Sequence, residues 1–331
     1  MRLDGVDIAA LTAALREQPG VTGKRDIQAI ARALARAPSA GAAPMIRNGD
    51  DAAAIAHGDG YLLIAAEGMW PPFVQAEPWF AGFCSLMVNI SDIAATGGRA
   101  LAVVDVLFCG DRSDHSQLLA GMCAASEIFQ VPIVGGHTAR QLGHTNLAVA
   151  IIGHAKALIT SFDAKPGQQV LAAIDTRGQF RGASSNFDAA TSAAPQALRA
   201  QLEILPTLAE AGLVRAGKDI SMAGIPGTLL MLCEGSGCGA ILDLDALPAP
   251  PTVDPMRWLT CFPSFGYLLA VDASDADEVI RRFDAAGVAC AAAGEITAAP
   301  TLRIQGGGQA AEYWDLRARP LTGFGAEDYH A

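Results

Sequence analysis

The sequence has few basic residues and no basic run, and this scarcity excludes one large class of function. Its 331 residues include 23 lysines and arginines against 34 aspartates and glutamates, for a formal net charge of -11. Nucleic-acid binding needs a Lys- or Arg-rich face, so we expect no nucleic-acid partner. Phosphorylated small molecules stay compatible with this charge, because a metal ion and backbone amides can hold phosphates without basic side chains.

Export signals, paired cysteines and the common nucleotide motifs are also lacking. The N-terminus places Asp4 and Asp7 around its first apolar residues and has no basic start or cleavage site. The cysteines are dispersed and odd in number, seven in all, which favours free thiols in a reducing compartment. No Walker A sequence and no strand-borne GxGxxG is present, which excludes P-loop and Rossmann sites. We therefore expect a cytoplasmic protein.

Aromatic residues are scarce, at 6%, whereas 51% of the residues are hydrophobic and spread along the chain. Apolar strand and helix patterns alternate throughout, which predicts a layered α/β fold. The length suits two domains, and the turn at Lys165-Pro166-Gly167 favours a boundary near residue 160. The sequence thus predicts an N-terminal domain over 1–160 and a C-terminal α/β domain over 161–331.

One long helix is predicted over residues 78–98, with Pro78 at its start and Gly97-Gly98 at its end. An apolar stripe covers one face, and a polar stripe at the same spacing consists of Ser85, Asn89, Asp92 and Thr96. The polar residues make a lipid span improbable, so we expect no membrane partner. Asp92 is the lone carboxylate, and its burial requires hydrogen bonds, a paired cation or a metal.

Acidic residues next to glycines recur at the ends of other apolar elements. Carboxylates dispersed over several rigid elements are the expected ligands of Mg²⁺ that is shared with phosphates. The sequence therefore predicts metal ligands at Asp50, Asp51, Glu67 and Asp92. Taken singly, a Gly-Asp-Asp turn is also typical of a surface, Asp92 could pair with a buried Lys or Arg, and His137 could be structural.

Three motifs carry a resemblance to a known superfamily. They are GDDAAAI at 49–55, MVNISDIAATGGRALAVV at 87–104 and IVGGHT at 133–138. Together they resemble the ATP-binding half of the aminoimidazole ribonucleotide (AIR) synthetase superfamily, which includes thiamine-monophosphate kinase and selenophosphate synthetase. The resemblance continues through KPGQQVL, the DIS triplet at 219–221 and SGCGAILDLDALP. It implies a two-domain fold whose first domain forms a barrel with a second copy, with ATP in a groove between the domains.

The resemblance also implies roles for individual residues. Asp50, Asp51 and Asp92 match positions that hold Mg²⁺ on the nucleotide phosphates, and Gly135-Gly136 match a phosphate-side turn. The residues expected to contact or support the bound nucleotide are Gly49, Asn89, Ser91, Gly135, Gly136 and Thr138. Residues expected to take part in catalysis are His137, Lys24 and Asp219. His137 could contact phosphate or act as an acid or base, and the Gly-rich stretch around Lys24 could be a mobile lid or a solvated turn.

The chain departs from the pattern of thiamine-monophosphate kinase at positions that argue against thiamine phosphate as the substrate. Ala66-Glu67 replaces a Thr-Asp pair, and Met222 replaces an Asp that would follow Asp-Ile-Ser. The chain looks more like an AIR-synthase-related branch whose name implies no substrate. Substrate contacts are expected from Lys218, Asp219, Ser221, Ser264 and the 180–190 loop.

The leading hypothesis is a magnesium- and ATP-dependent phosphotransferase, thiamine-monophosphate-kinase-like, with an unidentified small acceptor. The alternatives are a non-catalytic nucleotide-binding or regulatory homologue and a metal-dependent hydrolase that uses no nucleotide.

Overall fold

The computed structural model describes residues 1–34, 48–110, 115–140 and 143–325. Within these ranges the helices are α1 Ile8–Arg16, α2 Pro19–Thr22, α3 Gln28–Leu34, α4 Pro71–Ala76, α5 Pro78–Ala95, α6 Ser116–Phe129, α7 Pro195–Leu202, α8 Ile204–Glu210, α9 Gly224–Ser236, α10 Pro255–Leu259 and α11 Ala276–Ala285. A 3-10 helix, Gly23–Ile27, joins α2 to α3. The strands are β1 Ala53–His57, β2 Gly60–Gly68, β3 Arg99–Cys109, β4 Ile133–Arg140, β5 Asn146–Ala155, β6 Gln169–Ile174, β7 Gln179–Phe180, β8 Asn186–Asp188, β9 Ala216–Asp219, β10 Gly239–Asp243, β11 Phe262–Pro263, β12 Gly266–Val271, β13 Ala289–Thr297, β14 Thr301–Gly306 and β15 Gln309–Asp315.

The first half of the chain builds a five-stranded sheet in the order β1-β2-β5-β3-β4. Its inner face packs on α5, which is buried along almost its whole length, as an apolar 18-residue helix requires. Its outer face carries exposed branched side chains on neighbouring strands, at Ile55, Ile64, Val104, Val106 and Ile152. Ile64 pairs directly with Ile152, which places both side chains on the same face. One face of the sheet is therefore core, and the other is apolar and uncovered.

The second half builds a seven-stranded sheet in the order β15-β14-β10-β13-β6-β12-β9. Pairing is antiparallel except between β10 and β14. Helix α1 belongs to the core of this half, because Ile8, Leu11 and Leu15 are buried in its apolar cluster. A third, small sheet of β11, β8 and β7 lies beside it.

Helices α5 and α6 touch through two glycines. A Cβ built on Gly82 would lie 2.0 Å from the carbonyl oxygen of Leu118, and one built on Gly121 would lie 1.9 Å from that of Trp79. Side chains larger than hydrogen cannot fit at this crossing, so the glycines set how closely the helices approach. The position of α5 is thus fixed from behind by α6 as well as by the sheet in front.

The helix predicted over 78–98 is confirmed as α5, whereas two predicted turns or loops contain strands instead. Gly135-Gly136-His137-Thr138, where the sequence indicates a turn, lies within edge strand β4. The 180–190 loop, expected to contact substrate, contains β8. Helices α7 and α8 are separated at Glu203, because Pro206 has no backbone N–H to donate to Leu202.

Within the described ranges, no helix is both long and apolar enough to cross a membrane. All seven cysteines are free thiols, as predicted. The mixed α/β architecture, with one large sheet in each half, agrees with the predicted fold class, whereas the barrel formed with a second copy stays a prediction.

Candidate functional site

Three carboxylates from distant parts of the chain meet in one place. Asp51 precedes β1, Asp92 lies in the last turn of α5, and Asp219 ends β9. One oxygen from each lies within 4.8 Å of the others, and Asp92 and Asp219 are buried. This is the geometry in which a single divalent cation can bind all three.

The sheet of the second half fixes this meeting point against α5. The hydroxyls of Ser91 and Tyr267 lie 3.0 Å apart, and Tyr267 on β12 pairs directly with Asp219 on β9. The backbone N–H of Asp219 also donates a 3.2 Å hydrogen bond to Asp51 Oδ2. Ser91, predicted to support the nucleotide, therefore aligns Asp92 with Asp219 by joining α5 to β12.

Neighbouring residues Asp50 and Asp51 have different partners. Asp50 accepts hydrogen bonds from the backbone N–H of Ser161 at 3.0 Å and from its hydroxyl at 2.6 Å. Asp51 accepts an ion-paired hydrogen bond from Lys218 Nζ. The sequence predicts both aspartates as metal ligands, but only Asp51 joins Asp92 and Asp219 in the cluster; Asp50 is held at the loop by Ser161.

One side-chain oxygen of Asp92 lacks a hydrogen-bond partner in the part of the chain that the structure describes. Its Oδ2 is buried and accepts no hydrogen bond from the described residues. Burial, followed by repulsion from Asp219 and Asp51, raises the pKa of Asp92 well above its usual range. A bare buried carboxylate oxygen facing two other carboxylates is costly to the fold and fits a divalent cation as its partner.

The same crowding affects Asp219 and Lys218. Burial and the nearby Asp51 raise the pKa of Asp219 to about 8. Burial disfavours the charged form of Lys218, but Asp51 and Asp50 outweigh it and raise the pKa of the ammonium. Lys218 is thus a fixed cation that balances one negative charge of the cluster.

A cavity of about 760 Å³ opens beside the cluster, with Asp92 and Asp219 in its wall. Lys24 and Glu67 line the same cavity. Burial, followed by repulsion from Lys218, lowers the pKa of Lys24. Partial burial raises the pKa of Glu67, although its side chain stays accessible to solvent. The structure therefore brings both predicted residues to the cavity that contains the carboxylate cluster.

Away from the carboxylates the cavity becomes largely apolar. Aromatic and aliphatic side chains form this part, and the 184–186 loop adds polar groups. Met222, where the kinase pattern has an Asp, lines the cavity with 62% of its surface exposed. Ser221 and Ser264, expected to contact substrate, also line it.

Other predicted nucleotide contacts lie elsewhere in the single chain. Glu67, Val149, Asp105 and Gly136 occupy one row across β2, β5, β3 and β4, so Gly136 is three strand spacings, about 14 Å, from Glu67. His137 is exposed on this edge strand, with its ring 6.2 Å from that of Phe108. The chain by itself does not bring Gly135, Gly136, His137 or Thr138 to the cavity.

Asn89 and Gly49 are near the cluster in sequence, and the side-chain N–H of Asn89 and the backbone of Gly49 contact other groups, whereas Asn89 Oδ1 is buried with no hydrogen-bond partner among the described residues. The amide of Asn89 donates to the carbonyl oxygen of Ser85 at 2.8 Å, one turn back along α5. Gly49 has φ of +109° and packs against Phe324.

Two important contacts were not foreseen from the sequence. Lys218, expected to touch substrate, is instead paired with Asp51. A lysine inside the apolar stretch Ala216-Gly-Lys-Asp-Ile indicates a buried ion pair, because a buried ammonium needs an anionic partner. Ser161 lies 111 positions from Asp50 and gives no such signal.

Comparison with known proteins gives consistent similarities over most of the chain. Residues 49–155 match the model "AIR synthase related protein, N-terminal domain", and residues 165–307 match the corresponding C-terminal domain. An uncharacterised protein of Synechocystis sp., sll0787, is 47% identical over 94% of this chain and 96% of its own length. A selenide, water dikinase of Myxococcus xanthus is 27% identical over 60% of this chain and 59% of its own length. The structure of T. maritima PurL complexed with ATP superposes with a TM-score of 0.76 at 18% identity, covering 95% of this chain and 52% of PurL.

Proposed function

Because this chain belongs to the AIR synthase-related family, whose members include ATP-utilising enzymes, we propose that it is a magnesium- and ATP-dependent phosphotransferase acting on a small molecule. The observation that carries the proposal is Asp92 Oδ2, which is buried beside Asp51 and Asp219 and has no hydrogen-bond partner among the described residues. A site of this kind is built for a cation, and the adjoining cavity has room for a substrate.

Asp51, Asp92 and Asp219 would hold the metal, with Glu67 as a further oxygen donor on the cavity side. Mg²⁺ bound there would neutralise charge on the phosphates of ATP during transfer. Lys218 holds Asp51 in place through an ion pair and stays out of the cavity lining, so its role is to position this ligand.

Lys24 is the cation best placed to contact the transferred group. Among the described residues, it alone brings a positive side chain into the cavity lining. Its lowered pKa eases loss of the proton, but Glu67 and Asp219 favour the charged form. We assign Lys24 to phosphate binding, and we assign nucleotide contacts through His137 and Gly135-Gly136 to an assembled dimer.

A homodimer is the assembly that the apolar outer sheet face favours. Ile55, Ile64 and Val104 each expose about 40% of their surface on that face. Contiguous apolar patches of this kind are typical of protein interfaces. Pairing two copies face to face would cover the patch and close the two sheets into a barrel.

One observation favours the alternative of a non-catalytic nucleotide-binding homologue. Met222 is exposed in the cavity where a phosphotransferase of the kinase type would supply a carboxylate. Such a homologue would bind Mg²⁺ and ATP through the same cluster without turnover.

Calorimetry with Mg²⁺ and ATP, followed by a search for ADP release, tests these proposals. We expect nucleotide binding that requires Mg²⁺ and is lost in the double variant Asp51→Asn, Asp92→Asn. ADP release that one member of a metabolite panel accelerates favours the enzyme, and binding without any turnover favours the regulatory homologue. Undiminished nucleotide binding in the double variant would contradict both.

A further inference from the structure

The C-terminal strap, residues 320–325, is held by a buried carboxylate that the proposed reaction does not use. Glu234 lies in the last turn of α9 and is 5% exposed. Its Oε1 accepts hydrogen bonds from the backbone N–H groups of Leu321 at 2.8 Å and Gly323 at 3.2 Å. Its Oε2 accepts from the N–H of Thr322 at 2.8 Å and from its hydroxyl at 2.5 Å. Four donors on one carboxylate make a strong anchor for an otherwise irregular segment.

The strap also contacts the segment that carries Lys24. Gln28 Nε2 donates to the carbonyl oxygens of Pro320 at 3.1 Å and Leu321 at 2.9 Å. Gln28 begins α3, one helical turn after Lys24, so the anchored strap fixes the far end of this segment.

Phe324, just beyond the anchor, packs on the loop that carries Asp51. A Cβ built on Gly49 would lie 2.7 Å from both Cβ and Cγ of Phe324. Gly49 has φ of +109°, a conformation that other residues adopt only with strain. Asp51 follows two residues later, so a shift of Gly49 would move it relative to Asp92 and Asp219.

We propose that the C-terminal strap is a positioning element for the metal ligands. Glu234 fixes the strap, and Phe324 holds the Gly49–Asp51 loop in the place where Asp51 completes the cluster. The inference rests on the proposed role of Asp51 in metal binding, but the contact between strap and loop is a property of the metal-free protein as well.

Hydrogen exchange in the metal-free full-length protein tests the contact by itself. In Phe324→Ala, amides of residues 48–54 should exchange faster than in wild type, whereas Phe324→Leu keeps an apolar side chain over Gly49 and should restore protection. Unchanged exchange in Phe324→Ala would overturn the inference whatever the metal affinity.

The effect of the strap on metal affinity is tested by titrating the protein with Mn²⁺. The EPR signal of the free ion decreases as the ion binds, so it measures the dissociation constant. Removing groups that orient metal ligands typically weakens metal binding by about tenfold or more. We expect such a rise in the Mn²⁺ dissociation constant for Phe324→Ala and Glu234→Gln, and none for Phe324→Leu or for Glu312→Gln, an exposed matched control. Wild-type affinity in Phe324→Ala would overturn the inference. If the wild-type protein binds no Mn²⁺, both the proposed metal binding by Asp51 and the effect of the strap on metal affinity are overturned. Faster exchange of residues 48–54 in Phe324→Ala would then show only that the strap contacts the loop.

Discussion

Replacing Asp92 by Asn should change the stability of the protein in opposite directions with and without metal. The carboxylate oxygens of the cluster lie within 4.8 Å of one another. At that outer limit two ionised carboxylates would repel by about 3.5 kcal/mol at an effective dielectric constant of about 20. Asp92 faces two such groups, although proton uptake and Lys218 offset much of the repulsion. The amide of Asn removes the charge and adds a donor beside Asp51 and Asp219. We expect the metal-free variant to gain about 2 kcal/mol, or about 4–8 °C in melting temperature for a domain of this size.

Thermal unfolding of both proteins in EDTA, and again with Mg²⁺ and ATP, measures the effect. A ligand at 100 times its dissociation constant stabilises the folded state by about 2.7 kcal/mol, so wild type should overtake the variant when both ligands are added. Asp175→Asn is the matched control. Asp175 is a buried carboxylate paired with Arg177 and Gln201, so its replacement should lower the melting temperature under every condition.

Two results would refute the reasoning. If Asp92→Asn melts below wild type in EDTA, Oδ2 of Asp92 is stabilised by a group other than a metal. If Mg²⁺ and ATP raise the melting temperature of the variant as much as that of wild type, Asp92 does not hold the metal.

Three further outcomes follow from the structure. Val104→Glu places a charge on the uncovered sheet face and should convert a dimer into a monomer of about 34 kDa, measured by light scattering; a wild-type monomer would contradict the proposed dimer. The folded-state pKa of Asp219 is raised to about 8, so the folded protein holds this proton more tightly than the unfolded chain does. Without metal, the free energy of unfolding should therefore fall as the pH rises from 4 to 8. Urea titrations should find this pH dependence weakened in Asp219→Asn and unchanged in the surface variant Asp277→Asn. Met222→Asp should strengthen Mn²⁺ binding severalfold because it adds a carboxylate to the cavity, and Met222→Asn, which adds no charge, should not; equal affinities would exclude this position as a ligand.

Local patterns predicted the parts of the fold that depend on local forces. The helix over 78–98 was recognisable because helical spacing, a proline at its start and glycines at its end all agree, and α5 covers nearly the same residues. Asp92 stands out in the sequence for a physical reason as well, since a lone carboxylate inside an apolar helix needs a partner. The structure supplies two more carboxylates at that position.

Contacts between distant residues were beyond such patterns. Asp50 and Asp51 are equivalent in sequence, and only the folded chain shows that one meets Ser161 and the other Lys218. The Gly-Gly pair of β4 suggested a turn, but strand pairing with β3 overrides local preference at the edge of a sheet.

The glycine crossing of α5 and α6 has a consequence for how variation at this site should be interpreted. Gly82 lies ten residues before Asp92, about 15 Å along the helix, and Gly121 is on the neighbouring helix. A methyl group at either position would alter no charge and no surface residue, yet it would push α5 along or away from α6 and carry Asp92 with it. Neutral substitutions buried far from the carboxylates can therefore produce the phenotype of a damaged metal site, and a genetic screen for lost activity should recover them alongside changes to the aspartates themselves.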